Sequence, residues 1–153
     1  MRLTGRISDC LGIICLLMIP VLGCSLPQPV AEHAGTAAVV KSGETEGSID
    51  IASFINIIET APERILLIDV RDPDEYAAGH LKTAINIPLD ELEEKIATLP
   101  PDKTIVFVCT SGARAGESYF MVKDLRPMIH NVYYLEADCI YHKDGSYTIK
   151  KHE

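Results

Sequence analysis

The chain lacks an excess of positive charge. Its 153 residues hold 14 Lys and Arg against 22 Asp and Glu, a formal net charge of −8, and the lysines do not cluster apart from Lys150-Lys151. Nucleic-acid phosphates demand a basic face, so this balance argues against nucleic acid as a partner. An anionic substrate has to be drawn in by a local field against an acidic whole. Metal-ligand spacing is also missing: His33, His80, His130, His142 and His152 are scattered, which predicts surface or core roles for them, no metal and no cofactor. There is no Cys-x-x-Cys pair, which argues against a thiol redox protein, and there is no internal repeat. The longest apolar run, Leu11 to Leu22, is too short to cross a bilayer comfortably, and Pro20 breaks its end.

That run does have the form of a targeting segment. Arg2 and Arg6 give it a positive start, and Val21-Leu22-Gly23-Cys24 closes it. A small residue directly before a cysteine in this place resembles the bacterial lipobox. The resemblance implies cleavage before Cys24, lipid on its sulfur and new amino group, and an extracytoplasmic protein anchored to a bacterial membrane, on the periplasmic side in a two-membrane cell. The expected organisation is a lipoprotein signal peptide over residues 1–23, a lipidated N-terminus and flexible tether over 24–47, and one domain over 48–153. Ser, Pro, Gly, Ala, Thr and Glu dominate the tether, with no sustained periodicity. Cys10 and Cys15 leave with the signal, so Cys109 and Cys139 remain as thiols, too few for a disulfide scaffold.

Within the domain, Asp50 is placed to cap a helix whose Phe54, Ile55 and Ile58 face inward, and Pro62 closes it. Ile65 to Val70 reads as a buried strand. Asp72-Pro73-Asp74-Glu75 is a helix start with Asp72 as cap and Glu75 reaching back, and Gly79 is its end. A brief strand at Ile85-Asn86-Ile87 precedes Leu89, Leu92, Ile96 and Leu99 at helical spacing, which Pro100-Pro101 stops. A strand from Ile105 is followed by a helix to about Leu125, with Ala115, Tyr119, Val122 and Leu125 on one face, and Asn131 to Leu135 is a last strand. Strands alternating with helices at this spacing predict a three-layer α/β/α domain with a mainly parallel sheet. Ligands in such sheets bind beyond the carboxyl ends of strands.

Cys109 stands at such an end. Ile105-Val106-Phe107-Val108 is wholly apolar, as a strand buried on both faces requires. The residues that follow, Thr110, Ser111, Gly112 and Ala113, are small; Gly112 lets the backbone turn tightly so that several N–H groups point at one centre. A helix opening near Ala113 adds its positive dipole end, and Arg114 adds a full charge. Each of these favours thiolate over thiol, so the segment reads as a reactive cysteine on an anion-binding loop.

Asp69-Val70-Arg71, Glu75-Tyr76-Ala77-Ala78-Gly79-His80-Leu81, Asn86-Ile87-Pro88 and Cys109-Thr110-Ser111-Gly112-Ala113-Arg114-Ala115 occur in that order. Together they resemble the rhodanese homology domain, from about Ser48 to Leu135. The resemblance implies a single-domain sulfurtransferase with Cys109 as the persulfide-forming nucleophile and Thr110 to Ala113 as its substrate-binding cradle. Its partners would be a small sulfur-containing anion or persulfide donor, such as thiosulfate, and a thiol or cyanide acceptor. Arg114 would bind the donor's anionic group or hold the loop. Asp69, Arg71, Glu75 and His80 would mainly tie the first strand to the next helix and turn.

The chain departs from the family after its last predicted strand. The usual Leu-x-Gly-Gly segment, aromatic residue and Gly-x-Pro end are replaced by Leu135-Glu136-Ala137-Asp138-Cys139-Ile140-Tyr141-His142, and there is no tryptophan. Cys139 leaves the sheet at the same edge as Cys109. It reads as a small buried filler or as a resolving thiol, the latter requiring Cα atoms within about 7 Å. Two other functions share the loop: a non-enzymatic persulfide carrier, and a cysteine-dependent phosphatase, whose sites place five residues between Cys and Arg where this chain has four.

Overall fold

The structure, a computed structural model, describes residues 40–152. Cys24 and the predicted signal segment lie outside them. Four parallel strands form the central sheet: β1 (Ile65–Asp69), β2 (Ile85–Asn86), β3 (Thr104–Val108) and β4 (Val132–Tyr134), in the order β2-β1-β3-β4. Their register aligns Asp69 with Val108 and Phe107 with Tyr134, so the carboxyl ends of β1, β3 and β4 open at one edge.

Helices cover both faces, because β1 and β3 are apolar on both. Ile68, Ile105 and Phe107 face α3 (Leu89–Ile96) and α4 (Ala113–Leu125) through Leu92, Ile96, Tyr119 and Val122. Leu67, Val106 and Val108 face the opposite way, towards Phe54 and Ile57 of α1 (Ile51–Thr60). Asp50 caps α1 through its side chain to Ser53 N–H at 2.9 Å. The buried stripe of α1 is Phe54 and Ile57, while Ile55 and Ile58 are half-buried at its margins. Leu125 corrects the expected stripe of α4: it is 53% exposed, because the helix ends there and the chain turns away at Arg126.

Two segments depart from the expected plan. The folded body takes in residues that composition assigned to the tether: Ser42 bridges to Ile49, Ser48 to Tyr134, and Val40 packs against the α1 side of the core. After β4 the chain forms an antiparallel hairpin of β5 (Asp138–Tyr141) and β6 (Tyr147–Lys150), in a sheet of its own. Its turn is closed by His142 N–H to the Ser146 carbonyl and by Gly145 at φ 83°. This hairpin occupies the place of the missing family segment, and it lies against the Cys109 loop.

Candidate active site

Cys109 follows directly on β3 and is 2% exposed. The Gly112 N–H donates to its Sγ at 3.1 Å. That contact depends on Gly112 adopting φ 88°, in the left-handed region, against a wall that a Cβ would strike: Glu136 Cα at 2.9 Å and the Leu135 carbonyl oxygen at 3.0 Å. Gly112 is the N-cap of α4 and contributes no capping side chain, so the first turn of the helix is not capped from within its own N-terminus. Thr110, Ser111 and Ala113 are exposed and form the outer rim of the turn.

Arg114 points away from solvent anions and into a carboxylate. Its Nη1 and Nη2 donate to Glu75 Oε2 at 2.6 Å and Oε1 at 3.0 Å, and Asp72 lies at 3.7 Å. Glu75 also accepts the Asp72 N–H at 3.2 Å, as the capping box of α2 (Pro73–Ala78) requires, and the Thr110 hydroxyl at 3.4 Å. The Arg114 fork holds the Glu75 carboxyl at about 2, well below the usual carboxylate range. The same hydrogen bonds raise Arg114 further. Of the two roles open to Arg114 in the sequence, this geometry matches holding the loop.

The remaining motif residues form the frame. Asp69 and Arg71 are buried and joined by bonds of 2.7 and 2.9 Å, and Arg71 also donates to the Gly79 carbonyl at 2.7 Å. Asn86 Nδ2 donates to the Asp69 and Arg71 carbonyls at 2.9 and 2.8 Å, which ties β2 to β1. His80 stacks on Tyr76 at 3.8 Å between ring centres and contacts the Tyr76 carbonyl.

The closing hairpin and His152, just after it, grip three successive carbonyls of the loop. Tyr141 Oη donates to the Cys109 carbonyl at 3.0 Å, Cys139 N–H to the Thr110 carbonyl at 2.7 Å, and a ring nitrogen of His152 lies 2.9 Å from the Ser111 carbonyl. Tyr141 is itself held from behind, with the Arg71 guanidinium 4.5 Å from its ring centre. In a trans peptide the C=O and N–H point opposite ways, so the Ser111 carbonyl, bound from outside, leaves the Gly112 N–H on the sulfur. Sequence reading missed Tyr141, Asp138 and His152, which no spacing rule links to Cys109. A hairpin signal was present in Asp144-Gly145 between Ile140-Tyr141 and Tyr147-Thr148-Ile149.

Cys139 and Cys109 are both free and buried. Cys139 packs with the α1 side of the core and Cys109 with the α3 and α4 side. Burial pushes the Cys139 thiol up to about 11.

The rhodanese-like domain family model matches residues 51–139, which include every element of this site except His152 and Tyr141. The chain belongs to the rhodanese-like domain family. Thiosulfate sulfurtransferase PspE of Escherichia coli (strain K12) is 42% identical over 60 residues, covering 38% of this chain and 58% of that protein. Thiosulfate:glutathione sulfurtransferase of Saccharomyces cerevisiae is 32% identical over 97 residues, covering 55% of this chain and 70% of that protein. The putative sulfurtransferase YtwF of Bacillus subtilis is 44% identical over 55 residues, 36% of this chain and 53% of its own length. The chain thus spans little more than half of several curated relatives it matches. Among solved structures, the rhodanese-like domain of an Anabaena protein superposes with a TM-score of 0.51 at 17% identity, over 60% of this chain and 69% of that one, a likeness of fold. The rhodanese-like fold accounts for the order of the elements, while the β5–β6 hairpin extends beyond the matched residues.

Proposed function

We propose that this rhodanese-like protein is a sulfurtransferase in which Cys109 carries sulfur as a persulfide. The observation that carries the reading is the sulfur of Cys109 receiving the Gly112 amide at 3.1 Å beside the uncapped start of α4. In the first half-reaction the Cys109 thiolate attacks the outer sulfur of a donor such as thiosulfate. The new S–S bond forms as the donor's S–S bond breaks, and sulfite leaves with the electron pair. The persulfide carries the negative charge on its outer sulfur, where loop amides would stabilise it as an oxyanion hole does. In the second half-reaction cyanide or a thiolate attacks that outer sulfur, the S–S bond breaks, and the Cys109 thiolate is restored.

Thr110, Ser111, Gly112 and Ala113 form the cradle in this reading, and Arg114 holds it through Glu75. Cys139 is a packing residue: a thiol raised to about 11 by burial is a poor attacking group near neutral pH. The phosphatase reading is disfavoured, since Arg114 is engaged by Glu75 through both nitrogens and only four residues separate it from Cys109. The protein is anchored outside the cytoplasm by lipid on Cys24. Incorporation of labelled fatty acid, lost in Cys24→Ala, tests that anchor.

Steady-state kinetics with thiosulfate and cyanide test the reaction. Parallel double-reciprocal lines, with activity abolished by Cys109→Ser, are expected. A single stoichiometric burst that then stops would leave the protein as a carrier without turnover, and hydrolysis of an aryl phosphate that depends on Cys109 would replace the reading with a phosphatase.

A further inference from the structure

The peptide unit that serves the sulfur is held at its other end by the chain's penultimate residue. The amide that donates to Cys109 Sγ belongs to Gly112, and the carbonyl of that same peptide unit is that of Ser111. His152 Nε2 lies 2.9 Å from this carbonyl, and its Nδ1 lies 3.1 Å from Asp138 Oδ1 on β5. A carbonyl and a carboxylate only accept hydrogen bonds, so the ring can serve both partners at once when each of its nitrogens carries a proton.

We propose that His152, held by Asp138, is a positioning residue for the reactive sulfur, acting through the Ser111–Gly112 peptide. The relay runs from the Asp138 carboxylate to the His152 imidazolium, to the Ser111 carbonyl, and through the planar peptide to the Gly112 N–H and Cys109 Sγ. Two effects act along it. Anchoring the carbonyl fixes the opposed N–H on the sulfur, and a cationic donor on the carbonyl polarises the peptide and strengthens that N–H as a donor. The proposal deepens the sulfur-transfer reading of the Cys109 site and rests on it for its purpose, though not for its geometry.

The ring stands among acidic side chains. Besides Asp138, His152 lines a cavity of about 720 Å³ shared with Glu44, Asp50 and Glu136, and the neighbouring Lys151 is paired with Glu44 at 2.5 Å. Ser111 brings only its backbone oxygen. Asp138 is thus the carboxylate in direct contact with the ring, and its loss would free the imidazole to turn from the carbonyl.

The test uses the full chain and three variants, His152→Ala, His152→Gln and Asp138→Asn. The pH midpoint of Cys109 alkylation by iodoacetamide reads thiolate stabilisation, with Cys139 slow because its thiol is pushed up to about 11. The Gly112 amide proton resonance reads the hydrogen bond itself, which a general loss of packing would not move selectively. In His152→Ala the midpoint is expected to rise by about half a pH unit, a roughly threefold loss of thiolate below it, with the Gly112 amide shifted upfield. Asp138→Asn should move both in the same direction by less. His152→Gln donates to the carbonyl without a charge and should restore part of the amide shift. An unchanged Gly112 amide in His152→Ala overturns the relay, even if the midpoint moves, since loss of a nearby charge alone would then explain it. If both signals respond but thiosulfate leaves no sulfur on Cys109, the relay stands and the transfer reading fails.

Discussion

Glu75 serves two elements at once, closing the capping box of α2 and receiving the Arg114 fork from the start of α4. Its carboxyl, held at about 2 by Arg114, sits below its unfolded value of roughly 4.3. The stabilisation is therefore fully present above the unfolded value and is lost as pH falls through about 2. Both side chains are about one-third exposed, so solvent screens the pair, and Glu75→Gln should cost only about 1 kcal/mol in urea denaturation at pH 7. The difference between the wild type and Glu75→Gln should shrink between about pH 4 and pH 2. A constant difference across that range would deny the ion pair its role. Gly112→Ala should cost more, about 2 kcal/mol, because its φ and the Glu136 wall both oppose a Cβ, and thermal unfolding would read it. The turn from Cys109 to Gly112 was legible because a strand end, a glycine in the left-handed region and a helix start follow one another in the chain. The sequence did not pair Glu75 with Arg114 across 39 residues, because helix starts on different elements meet only in the fold.

Among the elements, β1 and β3 were legible because a strand buried on both faces carries a continuous apolar run, here Ile65 to Ile68 and Ile105 to Val108, and α3 was legible because its leucines and isoleucine recur at helical spacing. The β5–β6 hairpin was marked only by its Asp144-Gly145 turn, since its strands are mostly exposed or half-buried and lack a continuous apolar run. The Asp69–Arg71 pair links these elements, with Arg71 bonding Gly79 and lying over Tyr141, which in turn holds the Cys109 carbonyl. Asp69→Ala leaves a buried guanidinium without its carboxylate. It should cost about 3–5 kcal/mol in chemical denaturation, and a loss below ~1 kcal/mol would show that the pair is not structural. Tyr141→Phe keeps the ring under Arg71 and removes only the hydroxyl. It should lower stability by about 1 kcal/mol and slow sulfur uptake by Cys109 in rapid-mixing kinetics.

For the molecule as a whole, the acidic balance was plain from composition, and it has a kinetic consequence. A net charge of −8 repels a dianionic donor, so added salt should raise kcat/KM for thiosulfate while leaving a neutral thiol-reactive probe nearly unaffected. The rhodanese-like fold was legible because several separated motifs fell in sequence, whereas the start of the folded body was not: residues 42–49 dock through backbone bridges that composition does not encode. Sulfur transfer by this protein requires Cys109 to accept a second sulfur inside its loop. Intact-mass measurement after exposure to thiosulfate tests this most directly. One added sulfur atom is expected on the wild-type protein, removed by cyanide and absent from Cys109→Ala. An unchanged wild-type mass, or an adduct that persists in Cys109→Ala, would contradict this.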